Sequence, residues 1–145
     1  MSYLINLSLA HKQIVVIGGG KIAKRKVEGL LKASENCQIH IVAPEIRSDF
    51  PMAQNLTFAK KVYEKKDLQK ADLIFACTND ALLNATICRD KAPFQWVNDV
   101  SDKSRSDFWN VVLTEYENFQ IGIASRDGNP QETLQFKQYL EEKFR

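Results

Sequence analysis

The sequence predicts an α/β protein built on a doubly wound parallel sheet, with a small hairpin-plus-helix region at its C-terminal end. Three observations predict it. A β-branched run, Gln-Ile-Val-Val-Ile at positions 13–17, leads straight into three glycines. Short apolar runs then alternate with helical patterns as far as Asn98, and beyond it the alternation stops.

The first ten residues, Met1 included, are mostly apolar and read as a lead-in strand or arm packed on the domain edge. After the first strand, Ile22, Ala23, Val27, Leu30 and Leu31 recur at helical spacing over residues 21–33, with Lys24, Arg25, Lys26, Glu28 and Lys32 on the other side. Ser34-Glu35-Asn36 breaks that helix, and residues 38–43 form a second strand stopped by Pro44. The pattern continues with a strand over residues 56–62, a short helical turn over 67–70, a strand over 72–77, a helix over 81–91 and a fifth strand over 94–98. Residues 99–107 are polar and aperiodic and read as a hinge. The expected organisation is a dinucleotide-binding domain over residues 1–106 and a smaller region over 107–145.

In that smaller region, residues 108–114 and 119–125 predict an antiparallel hairpin with its turn at 115–118. The final helix has clear start signals: Asn129 as N-cap, Pro130 at the first helical position and Glu132 completing a capping-box spacing. Phe136, Tyr139, Leu140 and Phe144 share one stripe of this helix, more apolar surface than so short a region can cover, which predicts a subunit interface.

Bulk composition narrows the function classes. With 145 residues, 44% of them hydrophobic and 26% charged, the chain supports one core of ordinary size. Its 20 basic and 18 acidic side chains leave a net charge of +2, giving no reason to expect a nucleic-acid partner. The densest basic cluster, Lys60, Lys61, Lys65 and Lys66, lacks interleaved aromatics and reads as a solvated face. Three scattered cysteines, Cys37, Cys77 and Cys88, have neither disulfide nor metal-site spacing, and no apolar run is long enough for a membrane span. A cytoplasmic protein with reduced thiols and no metal site is expected. His40, inside the second strand, and His11, in a turn, read as ordinary packing and surface residues.

The chemistry-bearing motif is Gly18-Gly19-Gly20-Lys21-Ile22-Ala23, a G-x-G-x-x-A placed between a strand and a helix. A dinucleotide pyrophosphate needs a tight turn, close backbone approach and the exposed N–H groups of a helix start. Gly18 permits the turn, Gly20 removes a blocking side chain, and Ala23 lets the helix press on the strand. The second strand ends in Val42-Ala43-Pro44 without the carboxylate that usually holds a ribose 2′-hydroxyl, and Glu45 lies beyond the proline. NAD is expected, with NADP left open. Asn79 and Asp80, where the fourth strand ends, read as ribose contacts, as N-cap of the next helix, or both.

The ordered set Val16-Ile17-Gly18-Gly19-Gly20-Lys21-Ile22-Ala23 with Arg25-Lys26, Ile41-Val42-Ala43-Pro44, Ala76-Cys77-Thr78-Asn79-Asp80, Val97-Asn98, Asp107-Phe108, Ser125, Gly128 and Pro130 resembles the precorrin-2 dehydrogenase family, which also forms the front part of siroheme synthases. The resemblance implies a Rossmann-like domain followed by a dimerisation region, hence a homodimer, and oxidation of a tetrapyrrole, precorrin-2, to sirohydrochlorin with hydride passed to NAD. It implies that Pro44, Thr78, Asn79, Asp80 and Asn98 border the cofactor. Many members of the family add a helical domain, and this chain stops before it.

The family's catalytic aspartate closes an Asn-Val-Val-Asp segment, which corresponds to Asn98-Asp99-Val100-Ser101 here. Ser101 therefore stands at the aspartate position, with Asp99 and Asp102 as neighbouring carboxylates. The same site also reads as a catalytically impaired NAD(P)- or tetrapyrrole-binding sensor or carrier. Residues 125–129 are a further candidate lining for the tetrapyrrole.

Overall fold

The computed structural model describes residues 2–145; Met1, the first residue of the expected arm, lies outside them. The chain divides into two compact units, residues 6–109 and residues 110–145, with residues 2–5 joining the second. The rest of the arm contains no strand, and Tyr3, Leu4, Ile5 and Leu7 are exposed.

In the larger unit β1 (Gln13–Ile17), β2 (Gln38–Ala43), β3 (Leu56–Lys60), β4 (Leu73–Ala76) and β5 (Trp96–Asp99) form one parallel sheet in the order β3-β2-β1-β4-β5. This is the winding of a Rossmann-type sheet. The period-2 alternation of strands divides the core. Ile14, Val16, Ile39 and Ile41 face α1 (Lys21–Ala33) through its buried Ala23, Val27 and Leu30. Val15, Ile17, Val42, Ile74 and Val97 pack on the other side with Ile87 of α2 (Ala81–Asp90). Burying one such Val or Leu side chain contributes about 2 kcal/mol, so both helices are held chiefly by their apolar stripes.

β1 and β2 have the expected bounds, whereas β3, β4 and β5 are shorter than expected. Residues 61 and 62 leave β3 because the chain turns there: Lys61 N–H donates to the Ala43 and Ala59 carbonyls, and its ammonium is 2.7 Å from Asp67. The expected turn at 67–70 is a 3-10 helix at Lys65–Leu68, held by reciprocal capping between Glu64 and Asp67. Gln95, expected in the fifth strand, is buried before it, its side-chain amide donating to the Leu68 and Ala71 carbonyls. The loop after β5 is ordered by a second 3-10 turn, Lys103–Arg105.

The smaller unit contains the antiparallel pair β6 (Val112–Tyr116) and β7 (Phe119–Ile123), and α3 (Pro130–Phe144). The hairpin is shifted from its expected place. Glu117, at φ 53, takes the left-handed conformation and closes a tight turn with Asn118, so Glu115 and Tyr116 remain paired in β6. Phe108 belongs to the larger unit, where its ring meets Phe75 edge-on at 5.4 Å. Asn129 caps α3 as expected, accepting from the Gln131 and Glu132 N–H groups. The reciprocal half of a capping box is replaced, because the Asn129 N–H donates to Asp127. Tyr116 stacks on Phe144 at 4.4 Å, while Phe136 and Tyr139 stay exposed.

Candidate functional site

Doubly wound sheets hold ligands outside the C-terminal ends of their strands where the order reverses, here between β1 and β4. The loop leaving β1 is the glycine turn. Gly18 has φ 134, and a Cβ there would come within 2.5 Å of the Cys77 carbonyl oxygen. Gly19 faces the loop after β2, where a Cβ would overlap the Glu45 carbonyl oxygen. A Cβ on Gly20 would meet nothing within 4 Å. Gly20 is also the N-cap of α1, which has no side-chain cap and no acidic residue in its first turn. The first N–H groups of α1 and its positive dipole end are therefore suited to an anion.

Two backbone hydrogen bonds hold this turn: Gly18 N–H to the Val42 carbonyl at 3.0 Å, and Arg47 N–H to the Gly19 carbonyl at 2.9 Å. The second fastens the loop after β2 against the glycines. Pro44 and Glu45 in that loop are exposed, and the fold thus brings a carboxylate-bearing residue beside the turn although β2 itself ends without one. Beneath Gly18, burial pushes the Cys77 thiol up to about 12, so it stays protonated and is no nucleophile.

Thr78, Asn79 and Asp80 leave β4. Asp80 caps α2 by accepting from the Leu82 and Leu83 N–H groups, and Asn79 is exposed. Thr78 is held by Asn84, a residue that the sequence reading did not single out. Asn84 is fully buried; its Oδ1 accepts from the Thr78 N–H at 3.1 Å and hydroxyl at 2.6 Å. Its Nδ2 donates to the Thr78 carbonyl at 3.1 Å and to Ser101 Oγ at 3.2 Å. One amide thus joins the loops after β4 and β5. The available signal was an amide on the same stripe as Ile87, where an unpaired polar group costs about 1–3 kcal/mol.

The loop after β5 gives its three candidate catalytic residues different surroundings. Asp99 is buried, with Oδ1 accepting from Ser101 N–H at 2.8 Å and Ser101 Oγ at 2.5 Å, and Arg105 Nε donating to Oδ2 at 2.8 Å. Burial pushes its carboxyl up, but the Ser101 and Arg105 interactions outweigh it and hold the group below the usual range. Ser101 is exposed as a residue, yet its hydroxyl both donates to Asp99 and accepts from Asn84. Asp102 is partly exposed; hydrogen bonds from Ser104, and then the charge of Arg105, hold it low and therefore ionised at neutral pH.

Asn98 has a different feature. It is 4% exposed, its Nδ2 donates to the Phe108 carbonyl at 3.0 Å, and its Oδ1 is the one buried side-chain polar atom without a partner among the described residues. Buried acceptors are rarely left so, and a ligand N–H or O–H would satisfy this one. An open Gly20, a donor-rich helix start and this acceptor at the C-terminal end of β5 fit the chemistry of a nicotinamide dinucleotide.

A family model described as putative NAD(P)-binding matches residues 5–111. The chain belongs to this family. Its matched segment contains the whole parallel sheet and the glycine turn, so the Rossmann-type core is the family's NAD(P)-binding domain. Among curated relatives, precorrin-2 dehydrogenase from Bacillus subtilis (strain 168) is 27% identical over 140 residues, covering 94% of this chain and 85% of that protein. The siroheme synthase of Blochmanniella pennsylvanica (strain BPEN) is 31% identical over 130 residues, 86% of this chain but only 27% of its own length. A solved structure of SirC, precorrin-2 dehydrogenase, superposes with a TM-score of 0.88 at 24% identity, covering 99% of this chain and 72% of that one, and bears out the fold expected from the sequence.

Residues 125–129 lie in the smaller unit, where Ser125 Oγ donates to the Asn129 carbonyl and Gly128 takes φ 74. His40 bonds Thr57 through Nδ1 at 2.7 Å, and His11, at φ 62, occupies a turn. No three His, Cys, Asp or Glu side chains are placed to hold a metal ion among the described residues. No described helix is long and apolar enough to cross a membrane.

Proposed function

We propose that this chain is an NAD-dependent dehydrogenase that oxidises precorrin-2 to sirohydrochlorin in siroheme biosynthesis. The observation that carries the proposal is a complete NAD(P)-binding core in a chain whose likeness to the Bacillus subtilis enzyme runs through 85% of that enzyme. In this reading Gly18, Gly19, Gly20, Lys21, Ile22 and Ala23 cradle the pyrophosphate, Glu45 accepts from a ribose hydroxyl, and Pro44, Thr78, Asn79 and Asp80 border the adenosine and nicotinamide riboses. Asn98 offers its unpaired oxygen to the nicotinamide end. The bound cofactor supplies the hydride acceptor.

The proton lost from the tetrapyrrole needs a base. Ser101 is unsuited, because its proton is already donated to Asp99 and a lone pair is taken by Asn84. Asp99 is unsuited because its side chain is fully buried and four N–H or O–H contacts from Ser101 and Arg105 occupy its oxygens, whereas Asp102, held by Ser104 and Arg105, keeps an open side. Asp102, ionised and partly open to solvent, is the carboxylate we assign to this role, with Ser101 and Asp99 fixing the loop that carries it. The exposed apolar residues of α3 and the hairpin favour a homodimer, and the unpaired thiols favour a cytoplasmic location.

Purified chain mixed with precorrin-2 and NAD should form sirohydrochlorin absorbance and NADH fluorescence together. Absence of both, under conditions where the Bacillus subtilis enzyme turns over, would sink the proposal. The engaged hydroxyl of Ser101 at the family's aspartate position favours a second reading, a sensor or carrier that binds NAD(H) or a tetrapyrrole without turnover. Tight binding with no product would select it.

A further inference from the structure

The loop that follows β2 carries an ion cluster which the proposed dehydrogenase chemistry leaves unused. Asp49 sits between two cations: Arg47 donates from Nε to Oδ1 at 2.9 Å and from Nη2 to Oδ2 at 3.0 Å, while Lys24 Nζ reaches Oδ2 at 3.1 Å. Lys24 belongs to the first turns of α1, its N–H donating to the Gly20 carbonyl, and Arg47 is tied by its own N–H to the Gly19 carbonyl. Both cations are therefore anchored by backbone to the glycine turn. Asp49 is anchored as well, because the next residue, Phe50, is buried in the core on the α1 side, packs edge-on against Phe58 at 6.0 Å and closes a turn back to the Arg47 carbonyl.

In a Rossmann-type site the end of β2 is where the adenosine ribose is read, a carboxylate selecting the 2′-hydroxyl of NAD and a nearby Arg accommodating the 2′-phosphate of NADP. Arg47 and Lys24 are cations of the kind that would take a 2′-phosphate, and the fork of a guanidinium matches phosphate geometry. Both are spent on carboxylates: Arg47 and Lys24 meet on Asp49, and Lys24 also lies 3.5 Å from Glu28 on α1. A 2′-phosphate approaching either cation would be repelled by the Asp49 charge at the same place, whereas a neutral 2′-hydroxyl would not. We propose that Asp49 is a specificity-determining residue that sets the preference for NAD over NADP by withholding Lys24 and Arg47 from the ribose 2′ position.

The inference rests on the dinucleotide site argued above, and its test separates the two. Dissociation constants for NAD and NADP would be measured by titration calorimetry on the full chain, as wild type, Asp49→Asn, and Asp49→Asn combined with Lys24→Ala and Arg47→Ala. Releasing Arg47, and leaving Lys24 only its longer contact with Glu28, beside a dianionic phosphate should move the NADP-to-NAD affinity ratio about tenfold or more toward NADP in Asp49→Asn, with a steeper salt dependence for NADP. The triple variant should lose that gain. Asp49→Ala, checked for folding by circular dichroism, is expected to repeat the shift. An affinity ratio that stays within about twofold of wild type in both Asp49 variants overturns the inference alone, as does a shift that survives removal of both cations. A wild-type chain that binds neither dinucleotide overturns the inference together with the site on which it rests.

Discussion

Arg105 grips Asp99 at a single oxygen: Nε and Nη2 both lie 2.8 Å from Oδ2, while the other oxygen takes the backbone N–H and the hydroxyl of Ser101. Asp99 is thus the keystone of the loop after β5. Asp99→Asn should lower unfolding free energy by about 2–3 kcal/mol, since it removes charge-assisted hydrogen bonds at a buried site and leaves Arg105 without its main partner. Asp102→Ala, with a more exposed carboxylate, should cost little stability and most of the turnover. Urea denaturation and initial rates, measured side by side, would check this division; equal loss of stability in both variants would contradict it.

The same pair fixes a pH dependence. A carboxylate held below its unfolded value of about 3.9 contributes stability that is fully present above that pH and is lost as pH falls through the lower, folded value. The stability gap between wild type and Asp99→Asn should therefore be constant from neutral pH to about pH 5 and close in more acid solution. A gap that widened on acidification would reverse the assigned direction.

The three glycines should not be equivalent. Gly18→Ala forces a side chain into φ 134 against the Cys77 carbonyl, and should destabilise the fold by about 2 kcal/mol or more. Gly20→Ala meets no neighbour within 4 Å and should fold normally, yet weaken NAD binding by crowding the pyrophosphate. Thermal denaturation paired with NAD titration distinguishes them. A Gly20→Ala protein with wild-type affinity would remove the pyrophosphate from this turn.

Much of this site was legible in the sequence for a physical reason: the β-branched run, the glycines and the amphipathic helix are all local signals, and the run from Gln13 to Ala33 appears in the structure with the expected bounds. Asn84 was not legible, because Thr78 and Ser101 lie on loops that only the sheet brings together, and Arg105 was not, because an aperiodic segment gives no sign of the 3-10 turn that folds its guanidinium back onto Asp99. Strand lengths were overestimated for a related reason. Gln95 and Lys61 look compatible with strands until tertiary partners claim their amide and ammonium groups. The hairpin slipped because Phe108 reads as a strand residue by itself, whereas Phe75 captures it.

Asn84 tests how far the two loops depend on one side chain. Asn84→Ala strands the Thr78 N–H and should cost about 3 kcal/mol. Asn84→Asp keeps an acceptor for Thr78 but loses both Nδ2 donations, so the loop after β5 should exchange its amide hydrogens faster while the sheet remains protected. Hydrogen exchange with mass spectrometry reads this directly; uniform protection in both loops would show that Asn84 is dispensable for them.

Phe136 and Tyr139 stack at 6.1 Å, each about half exposed, on the face of α3 expected to meet a second copy. Light scattering at micromolar concentration should give the mass of a dimer, and Phe136→Glu should shift it to monomer. A monomeric wild type would contradict the interface.

The contact between Gly19 and the Glu45 carbonyl has a consequence for how this protein measures its ligand. There is no room for even a methyl group between them, and Arg47 is hydrogen-bonded across the same gap, so the two loops are fastened backbone to backbone. In the proposed site the distance from phosphate to sugar would be gauged by main chain against main chain, a ruler that no rotamer change can lengthen. Ligand choice on the adenosine side would then be left to the few side chains mounted along its edge.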